Sequence, residues 1–205
     1  MLNVSGLHLW RGDRHVLRNV SFTVDAGQCL LLTGRNGAGK TTLLRAVAGL
    51  LDPEQGEVSW RGTAARKSRG DFHAELAYLG HDAPLKGDLT GRENLRYSIG
   101  IRRAVAANEI HAALERTGAQ PFADRPVRTL SAGQRRRVAL AGVLLTGAVL
   151  WLLDEPTTNL DSDGKRLVAS LIEQQLAAGG IVVAAVHQDL DLGSGSVVNL
   201  ELAAA

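Results

Sequence analysis

Residues 34–41 have the composition and spacing of a loop that binds phosphate. They match the pattern G-x-x-x-x-G-K-S/T and lie between an apolar segment and a helical one, as such a loop requires. Glycines let the backbone approach a phosphate closely, and a helix N-terminus adds partial positive charge. Lys40 can bind the β- and γ-phosphates, and the Thr41 hydroxyl can bind Mg²⁺. The predicted nucleotide-binding residues of this segment are Gly34, Arg35, Asn36, Gly37, Ala38, Gly39, Lys40, Thr41 and Thr42.

A pair of carboxylates follows a second apolar segment. Val149–Leu153 is continuously apolar, and Asp154 and Glu155 come directly after it. Two acids at the end of a buried strand are costly unless a cation or a water molecule uses them. We expect Asp154 to hold Mg²⁺ and Glu155 to accept a proton from an attacking water. Together with the phosphate loop, the pair predicts Mg²⁺-dependent hydrolysis of a nucleoside triphosphate.

The apolar pattern predicts the strands that position these residues. Cys29–Thr33, which is apolar up to Leu32, predicts a buried strand. Val149–Leu153 and Ile181–Val186 are apolar throughout, which is typical of strands buried on both faces of a parallel sheet. The pattern of residues 1–26 predicts short strands of another sheet, and a further strand at Gly56–Gly62 is predicted to belong to that same sheet.

Helices are predicted in three regions. One follows the phosphate loop and ends at Asp52-Pro53, and another spans the apolar stripe of residues 167–176 before Gly179-Gly180. Residues 84–146 are mostly helical by spacing. Residues 63–75 are polar and basic, and we predict a loop there.

Leu130–Gln134 adds a third motif. Ser131, followed by small residues and a helical stretch, predicts an N-cap that exposes amide donors. Between the phosphate loop and the two acids, this segment resembles the LSGGQ signature of ATP-binding cassette (ABC) proteins, with alanine in the third place. In that family, this helix end faces the γ-phosphate of an ATP held by a partner chain. The resemblance implies ATP and Mg²⁺ as ligands, a homodimer of this chain, and nucleotide contacts from Ser131, Ala132, Gly133 and Gln134.

The resemblance covers essentially the whole chain and implies its fold class. We expect an α/β P-loop NTPase fold of the ABC type, with a RecA-like parallel-sheet core, an antiparallel β subdomain and an α-helical subdomain. A single nucleotide-binding domain is expected at residues 1–205, with the helical subdomain at about residues 84–146.

Further family elements follow in order, with two departures. Thr158–Asp161 resembles the D-loop that crosses the dimer seam, which implies a role for Asp161, and His187 has the place of the switch histidine that contacts the γ-phosphate. His81 stands where the family usually has a glutamine that touches the metal and senses membrane subunits. Arg11 stands where the family commonly stacks an aromatic side chain on adenine, and with Trp10 adjacent the identity of the stacking residue stays open.

Three segments are similar to the ATP-binding subunits of the haem-export complexes of cytochrome c maturation. They are Tyr78–Thr90, Leu130–Leu140 and Val186–Leu190. The resemblance implies two copies beneath integral membrane subunits, at the cytoplasmic face of the bacterial inner membrane, where ATP hydrolysis releases a haem-loaded chaperone. Another ABC exporter or importer is the alternative. A soluble ABC ATPase of translation or DNA repair is disfavoured, because those proteins usually carry two cassettes or a long insertion.

Composition narrows the choice of partners. The net charge of +2 gives no indication of nucleic-acid binding. We expect side chains of Arg135–Arg137 to pair with nearby acids or with nucleotide phosphates. The single cysteine, Cys29, is expected to be an inert buried thiol. The six histidines form no haem-attachment motif, so no direct haem binding is expected. The sequence has no run of about 18 apolar residues, so other subunits are expected to supply any membrane part.

Overall fold

A computed structural model describes residues 1–187, 190–193 and 197–202, which form two β-sheets and six α-helices. The strands in chain order are β1 (Leu2–Arg11), β2 (Arg14–Val24), β3 (Cys29–Thr33), β4 (Gln55–Trp60), β5 (Thr63–Ala64), β6 (Leu76–Leu79), β7 (Leu150–Asp154), β8 (Ile181–Ala185) and β9 (Val197–Glu201). The helices are α1 (Lys40–Val47), α2 (Arg69–Ala74), α3 (Gly91–Gly100), α4 (Ala107–Arg116), α5 (Ala132–Thr146) and α6 (Ser162–Ala177).

The larger sheet is parallel and has the strand order β6-β7-β8-β3-β9. Every residue of β7 and β8 is buried, as expected from their continuous apolar sequence. The carboxyl ends of β3, β6, β7 and β8, at Thr33, Leu79, Asp154 and Ala185, lie at one edge of the sheet. The segments that follow these four strands therefore gather at this edge, where α/β sheets usually bind ligands.

The smaller sheet is antiparallel, with the order β2-β1-β4-β5. The strand predicted at Gly56–Gly62 pairs with β1, as expected. Residues 1–26, by contrast, form two long strands rather than several short ones. The pairing of β1 with β2 shifts register between Val4 and Leu7 and again between Leu7 and Leu9. These irregularities break the alternation of apolar residues, which explains why the sequence pattern predicts shorter strands.

Buried apolar side chains form three clusters. One fills the space between the two sheets around α1, and a second covers the other face of the parallel sheet beneath α5 and α6. The third lies among α3, α4 and α5. Helix α5 belongs to both of the last two clusters, because Leu140 and Val143 face the sheet while Val138 and Ala141 face α3 and α4. Helix α5 thus joins the helical part of the chain to the parallel sheet.

Two local predictions are wrong. Residues 63–75 are not a loop, because they contain β5, a 3₁₀ turn at Ala65–Lys67 and α2, which are held in place by the buried Phe72 against Trp60. Helix α1 ends at Val47 rather than at Asp52, because Gly49 follows it with a φ of 69°.

Other expectations agree with the structure or stay open. Burial raises the pKa of the Cys29 thiol to about 12, in agreement with an unreactive cysteine. None of the helices in the described residues is long and apolar enough to cross a membrane. The helices of residues 84–146 are present, whereas the division into one domain with a helical subdomain stays a prediction.

Candidate active site

A cavity of about 610 Å³ opens at the carboxyl edge of the parallel sheet. Its walls come from the β1–β2 hairpin, the phosphate loop, the start of α1, and the segments after β6, β7 and β8. The lining residues are Arg11, Arg14, Val16, Asn36, Gly37, Gly39, Lys40, Thr41, Thr42, Arg45, His81, Glu155 and His187. The fold therefore brings together most of the residues predicted to bind the nucleotide and act on it.

The phosphate loop has the backbone that only glycine allows at two positions. Gly34 has a φ of 131°, and a Cβ there would lie 2.5 Å from the carbonyl oxygen of Leu202. Gly39 has a φ of 103°, and a Cβ there would lie 3.0 Å from Val16 Cγ1. Lys40 as a residue is 6% exposed, and its ammonium donates to the carbonyls of Gly34, at 2.7 Å, and Arg35, at 3.3 Å. The loop thus holds a cation in its own concavity, which suits a phosphate ligand.

Asp154 is a buried acid whose neighbours are Thr41, Glu155, His81 and Arg136. It is 1% exposed, and within the described residues neither carboxylate oxygen has a hydrogen-bond partner. Burial raises the pKa of Asp154, and the neighbouring Thr41 side chain opposes that shift. Within the described residues, no group of three or more His, Cys, Asp or Glu side chains is arranged to hold a metal ion by itself. The Asp154 carboxylate and the Thr41 hydroxyl fit Mg²⁺, which usually takes one or two protein ligands and completes its shell with phosphate and water.

We predict that Asp154→Asn stabilises the nucleotide-free protein. The substitution keeps the shape of the side chain and removes a buried charge whose oxygens accept no hydrogen bond among the described residues. Burial and the Glu155 charge disfavour the Asp154 carboxylate more than Thr41, His81 and Arg136 favour it. The melting temperature is expected to rise by about 2–4 °C, which corresponds to about 1 kcal/mol for a chain of this size. Calorimetry without nucleotide or Mg²⁺ measures the difference, and a lower melting temperature in the variant would contradict this account of Asp154.

Glu155 is the best-connected acid of the cavity. Its φ is 51°, and its amide donates to the Ala185 carbonyl at 2.9 Å. One carboxylate oxygen lies 2.5 Å from His187 Nε2, while the other accepts from the Thr158 hydroxyl at 3.1 Å. His81 Nδ1 lies 3.4 Å from that second oxygen.

These contacts keep Glu155 ionised. Burial alone would raise its pKa, but the hydrogen bonds from Thr158 and His187 outweigh burial, and the pKa lies below the ordinary value. An ionised carboxylate that faces the phosphate loop can accept a proton from a water molecule. His81 and His187 both line the cavity, and each of them contacts the Glu155 carboxylate. A direct contact of either histidine with metal or phosphate stays a prediction.

At the hairpin end of the cavity, Arg11 rather than Trp10 lines the wall. The Trp10 ring stacks on His15, with ring centroids 3.8 Å apart and planes 8° apart, and it is not among the lining residues. Arg14 pairs with Arg11 across the hairpin and donates to the Gly37 carbonyl at 3.2 Å. The guanidinium of Arg11 is therefore the better-placed candidate for stacking on a base.

We predict that Arg11→Ala weakens ATP binding by about tenfold, because stacking on a base contributes about 1–3 kcal/mol. Arg18→Ala, on β2 and outside the cavity lining, is the matched control. Fluorescence titration with a labelled ATP measures both dissociation constants. Equal ATP affinities in the two variants would show that Arg11 does not stack on the base.

The signature segment lies outside this cavity. The Ser131 hydroxyl accepts from the Gln134 amide at 3.2 Å, and the Gln134 side chain accepts from the Ser131 amide at 3.0 Å. This reciprocal pair forms the N-cap predicted for α5. Asp161 likewise caps α6, since its carboxylate accepts from the Gly164 amide at 2.8 Å. Neither Asp161 nor any residue of Ser131–Gln134 lines the cavity of its own chain.

Sequence reasoning missed three lining residues, Arg14, Val16 and Arg45. Arg14 could have been found from the hairpin, because the Gly12-Asp13 turn places it opposite Arg11. Arg45 lies one helical turn after Thr41 on α1, which is a detectable spacing. No sequence signal distinguishes Val16 from other apolar strand residues. Gln188 and Asp189, which contribute to the resemblance, lie outside the described residues.

Comparisons with known proteins agree with this geometry. A family model described as ABC transporter matches residues 17–158. A "Cytochrome c biogenesis ATP-binding export protein CcmA" from Nitrosococcus oceani is 47% identical over 93% of this chain and 88% of its own length. One of the same name from Vibrio vulnificus is 42% identical over 98% and 99%. Among solved structures, cbiO1 from Clostridium perfringens, described as part of the ABC transporter complex cbiONQ, has a TM-score of 0.77. It is 27% identical and covers 93% of this chain and 80% of its own.

The fold, the cavity and these relatives point the same way. The parallel sheet presents a phosphate loop and a carboxylate pair at one edge, and the antiparallel sheet and α3–α5 complete the architecture. The chain belongs to the ABC transporter family, in the group of cytochrome c biogenesis ATP-binding export proteins.

Proposed function

We propose that the chain is the ATP-hydrolysing subunit of a cytochrome c maturation complex that exports haem. The observation that carries the proposal is the ionised Glu155 carboxylate facing the phosphate loop in one cavity. Relatives named cytochrome c biogenesis ATP-binding export protein, similar over nearly the whole chain, support the assignment to that complex.

The residues around the phosphates bind and orient the nucleotide. Lys40, now bonded to loop carbonyls, turns its ammonium to the β- and γ-phosphates, while the amides of the loop and of α1 donate to phosphate oxygens. Asp154 and Thr41 would hold Mg²⁺, which would supply positive charge to the phosphate oxygens. Arg11 packs on the base at the hairpin end.

Glu155 supplies the proton acceptor for hydrolysis. A water molecule placed between the γ-phosphate and the carboxylate loses its proton to Glu155 as it attacks the γ-phosphorus. The bond from that phosphorus to the oxygen bridging the β- and γ-phosphates breaks, and ADP leaves with the electron pair. His187, bonded to one carboxylate oxygen at 2.5 Å, fixes the direction in which the other oxygen points. The Thr158 hydroxyl donates to the second Glu155 oxygen at 3.1 Å and so orients it before water binds.

The site is completed by a second copy of the chain. The capped N-terminus of α5 exposes backbone amides, but it does not line the cavity of its own chain. Two chains arranged head to tail would place each Ser131–Gln134 segment against the other chain's γ-phosphate, with Asp161 at the seam. Hydrolysis in both sites then reopens the dimer.

The dimer acts beneath integral membrane subunits, at the cytoplasmic face of the bacterial inner membrane. Opening and closing of the dimer drives those subunits, and the haem-loaded chaperone is released on their far side. The chain itself binds neither haem nor nucleic acid in this proposal. The support for this cellular role is the name shared by the relatives, cytochrome c biogenesis ATP-binding export protein.

Haem staining of membrane proteins tests the cellular role. A strain whose only copy of this chain carries Glu155→Gln is expected to lose covalently bound haem from c-type cytochromes and to keep its b-type cytochromes. A strain with Glu115→Gln, an exposed acid on α4, is the matched control and is expected to stain normally. Normal staining in the Glu155→Gln strain would exclude the maturation role and favour another ABC transporter as the partner complex.

A further inference from the structure

Arg136 is the second arginine of the Arg135–Arg137 run and is one of three charged side chains that are buried in the described residues. It is 4% exposed, and Lys40 and Asp154 are the other two. Its neighbours are less buried and have fewer partners, since Arg135 donates to the Leu130 carbonyl and Arg137 to the Thr117 carbonyl and to Asp161. Arg136 is therefore the member of the run that calls for an explanation.

The nitrogen atoms of the Arg136 guanidinium all donate hydrogen bonds to backbone carbonyls. Nη1 donates to Gly80 at 2.7 Å and His81 at 3.2 Å, and Nη2 donates to Asp154 at 2.5 Å and Glu155 at 2.7 Å. Nε donates to Pro156 at 3.3 Å. A guanidinium has five N–H donors in a fixed plane, so five acceptors match its capacity. No lysine can reproduce this planar fork.

This arrangement is costly for stability alone. Burial lowers the pKa of Arg136, and the negative charges of Asp154, Glu155 and Asp82 only partly oppose that effect. A buried charge that is bonded to neutral carbonyls gains less than one bonded to a carboxylate. An apolar side chain of similar volume would pack in this place without the cost of desolvating a charge.

The five carbonyls belong to the two segments that carry reacting groups. Gly80 and His81 follow β6. Asp154 is the last residue of β7, and Glu155 and Pro156 come directly after it. Glu155 also has a φ of 51°, which a residue other than glycine adopts only when its surroundings hold it there. The guanidinium holds the carbonyl side of that residue, and the bond to Ala185 holds its amide side.

Arg136 also belongs to α5, five residues after its cap Ser131. One rigid side chain thus joins the helix that begins with the signature segment to the backbone of His81 and Glu155 in the same chain. A movement of α5 relative to the sheet must pull on these carbonyls or break their bonds.

We propose that Arg136 is a positioning residue for ATP hydrolysis, which fixes the Glu155 and His81 backbones against α5 and so makes the alignment of the Glu155 carboxylate depend on the position of that helix. The inference rests on the proposed function. It implies that Arg136 acts on the chemical step and not on nucleotide binding, because its side chain does not line the cavity.

Arg136→Lys and Arg136→Gln test the inference, with Arg103→Lys as the matched control. Arg103 also bonds to α5, through the Leu145 carbonyl at 3.0 Å, but at the end of the helix away from the site. For each protein, steady-state kinetics give kcat and KM, a labelled ATP gives the dissociation constant, and circular dichroism gives the melting temperature.

We expect kcat to fall about tenfold in Arg136→Lys and about 10²-fold in Arg136→Gln, because a displacement of about 1 Å can cost that much in rate. The dissociation constant of Mg-ATP is expected to change less than twofold. Arg103→Lys is expected to keep the kcat of the wild type, whatever its melting temperature.

Three results would overturn the inference. They are an unchanged kcat in both Arg136 variants, a loss of ATP affinity that accounts for the loss of rate, and variants that both fail to fold, which would assign the side chain to stability. If the wild-type chain itself hydrolyses no ATP, the proposed function fails first. The wild-type rate therefore separates the two failures.

Discussion

Glu155→Gln is expected to lower the kcat of ATP hydrolysis by about 10³-fold, since general base catalysis contributes 10²–10⁴-fold. The amide is isosteric with the carboxylate and still accepts from Thr158, but it cannot take a proton from water. Binding of Mg-ATP is expected to stay within about twofold of the wild type, because Glu155 contributes neither to the phosphate loop nor to the base end of the cavity. Release of phosphate under saturating ATP measures the rate.

Glu115→Gln serves as the control for this substitution. The change is chemically the same, but Glu115 is exposed on α4 and pairs with His111 at the helix surface. Its kcat is expected to match the wild type. Turnover at the wild-type rate in Glu155→Gln would assign the proton acceptor to another group and overturn the mechanism proposed for this cavity.

Lys40→Ala is expected to weaken Mg-ATP binding by about 10²-fold, because a hydrogen bond to a charged group contributes about 1.5–3 kcal/mol. Lys40 is a buried residue whose ammonium lies in the concavity of the phosphate loop, and among the described residues no other lysine lines the cavity. Lys67→Ala, on an exposed 3₁₀ turn, removes the same charge elsewhere and is the control.

Titration with a labelled ATP compares the two lysine variants. Full affinity in Lys40→Ala would show that the loop amides alone hold the phosphates. Loss of affinity in both variants would show that the effect arises from net charge rather than from the loop, and either result contradicts the role of Lys40.

The parts of the site that are contiguous in sequence could be predicted from the sequence. The phosphate loop, the Asp154-Glu155 pair and the Ser131 cap are local, so their spacing alone predicts their structure. The buried strands β3, β7 and β8 are continuous apolar runs, and their positions follow within one residue of the prediction. The order β7-β8-β3, which the structure shows and the sequence analysis does not predict, then brings the three carboxyl ends together.

The long-range contacts could not be predicted. The sequence predicts that Arg135–Arg137 pair with acids or phosphates, and Arg137 Nη2 does lie 3.5 Å from Asp161 Oδ1. Arg136 instead binds carbonyls 18 to 56 residues away in the chain, and nothing in its local sequence distinguishes it from Arg135. The choice between Trp10 and Arg11 likewise depended on which face of β1 points into the cavity. That face depends on the irregular pairing with β2, where the register shifts between Leu9 and Trp10.

The central claim is a hydrolytic site shared by two copies of the chain, and the nucleotide content of the Glu155→Gln protein tests it most directly. The variant is incubated with Mg-ATP, separated by gel filtration with light scattering, and its bound nucleotide is quantified by chromatography. The account predicts a dimer that holds two molecules of ATP and no ADP, which disappears when Ser131→Arg blocks the N-terminus of α5. A monomer that retains bound ATP, or a dimer that holds ADP, would contradict it.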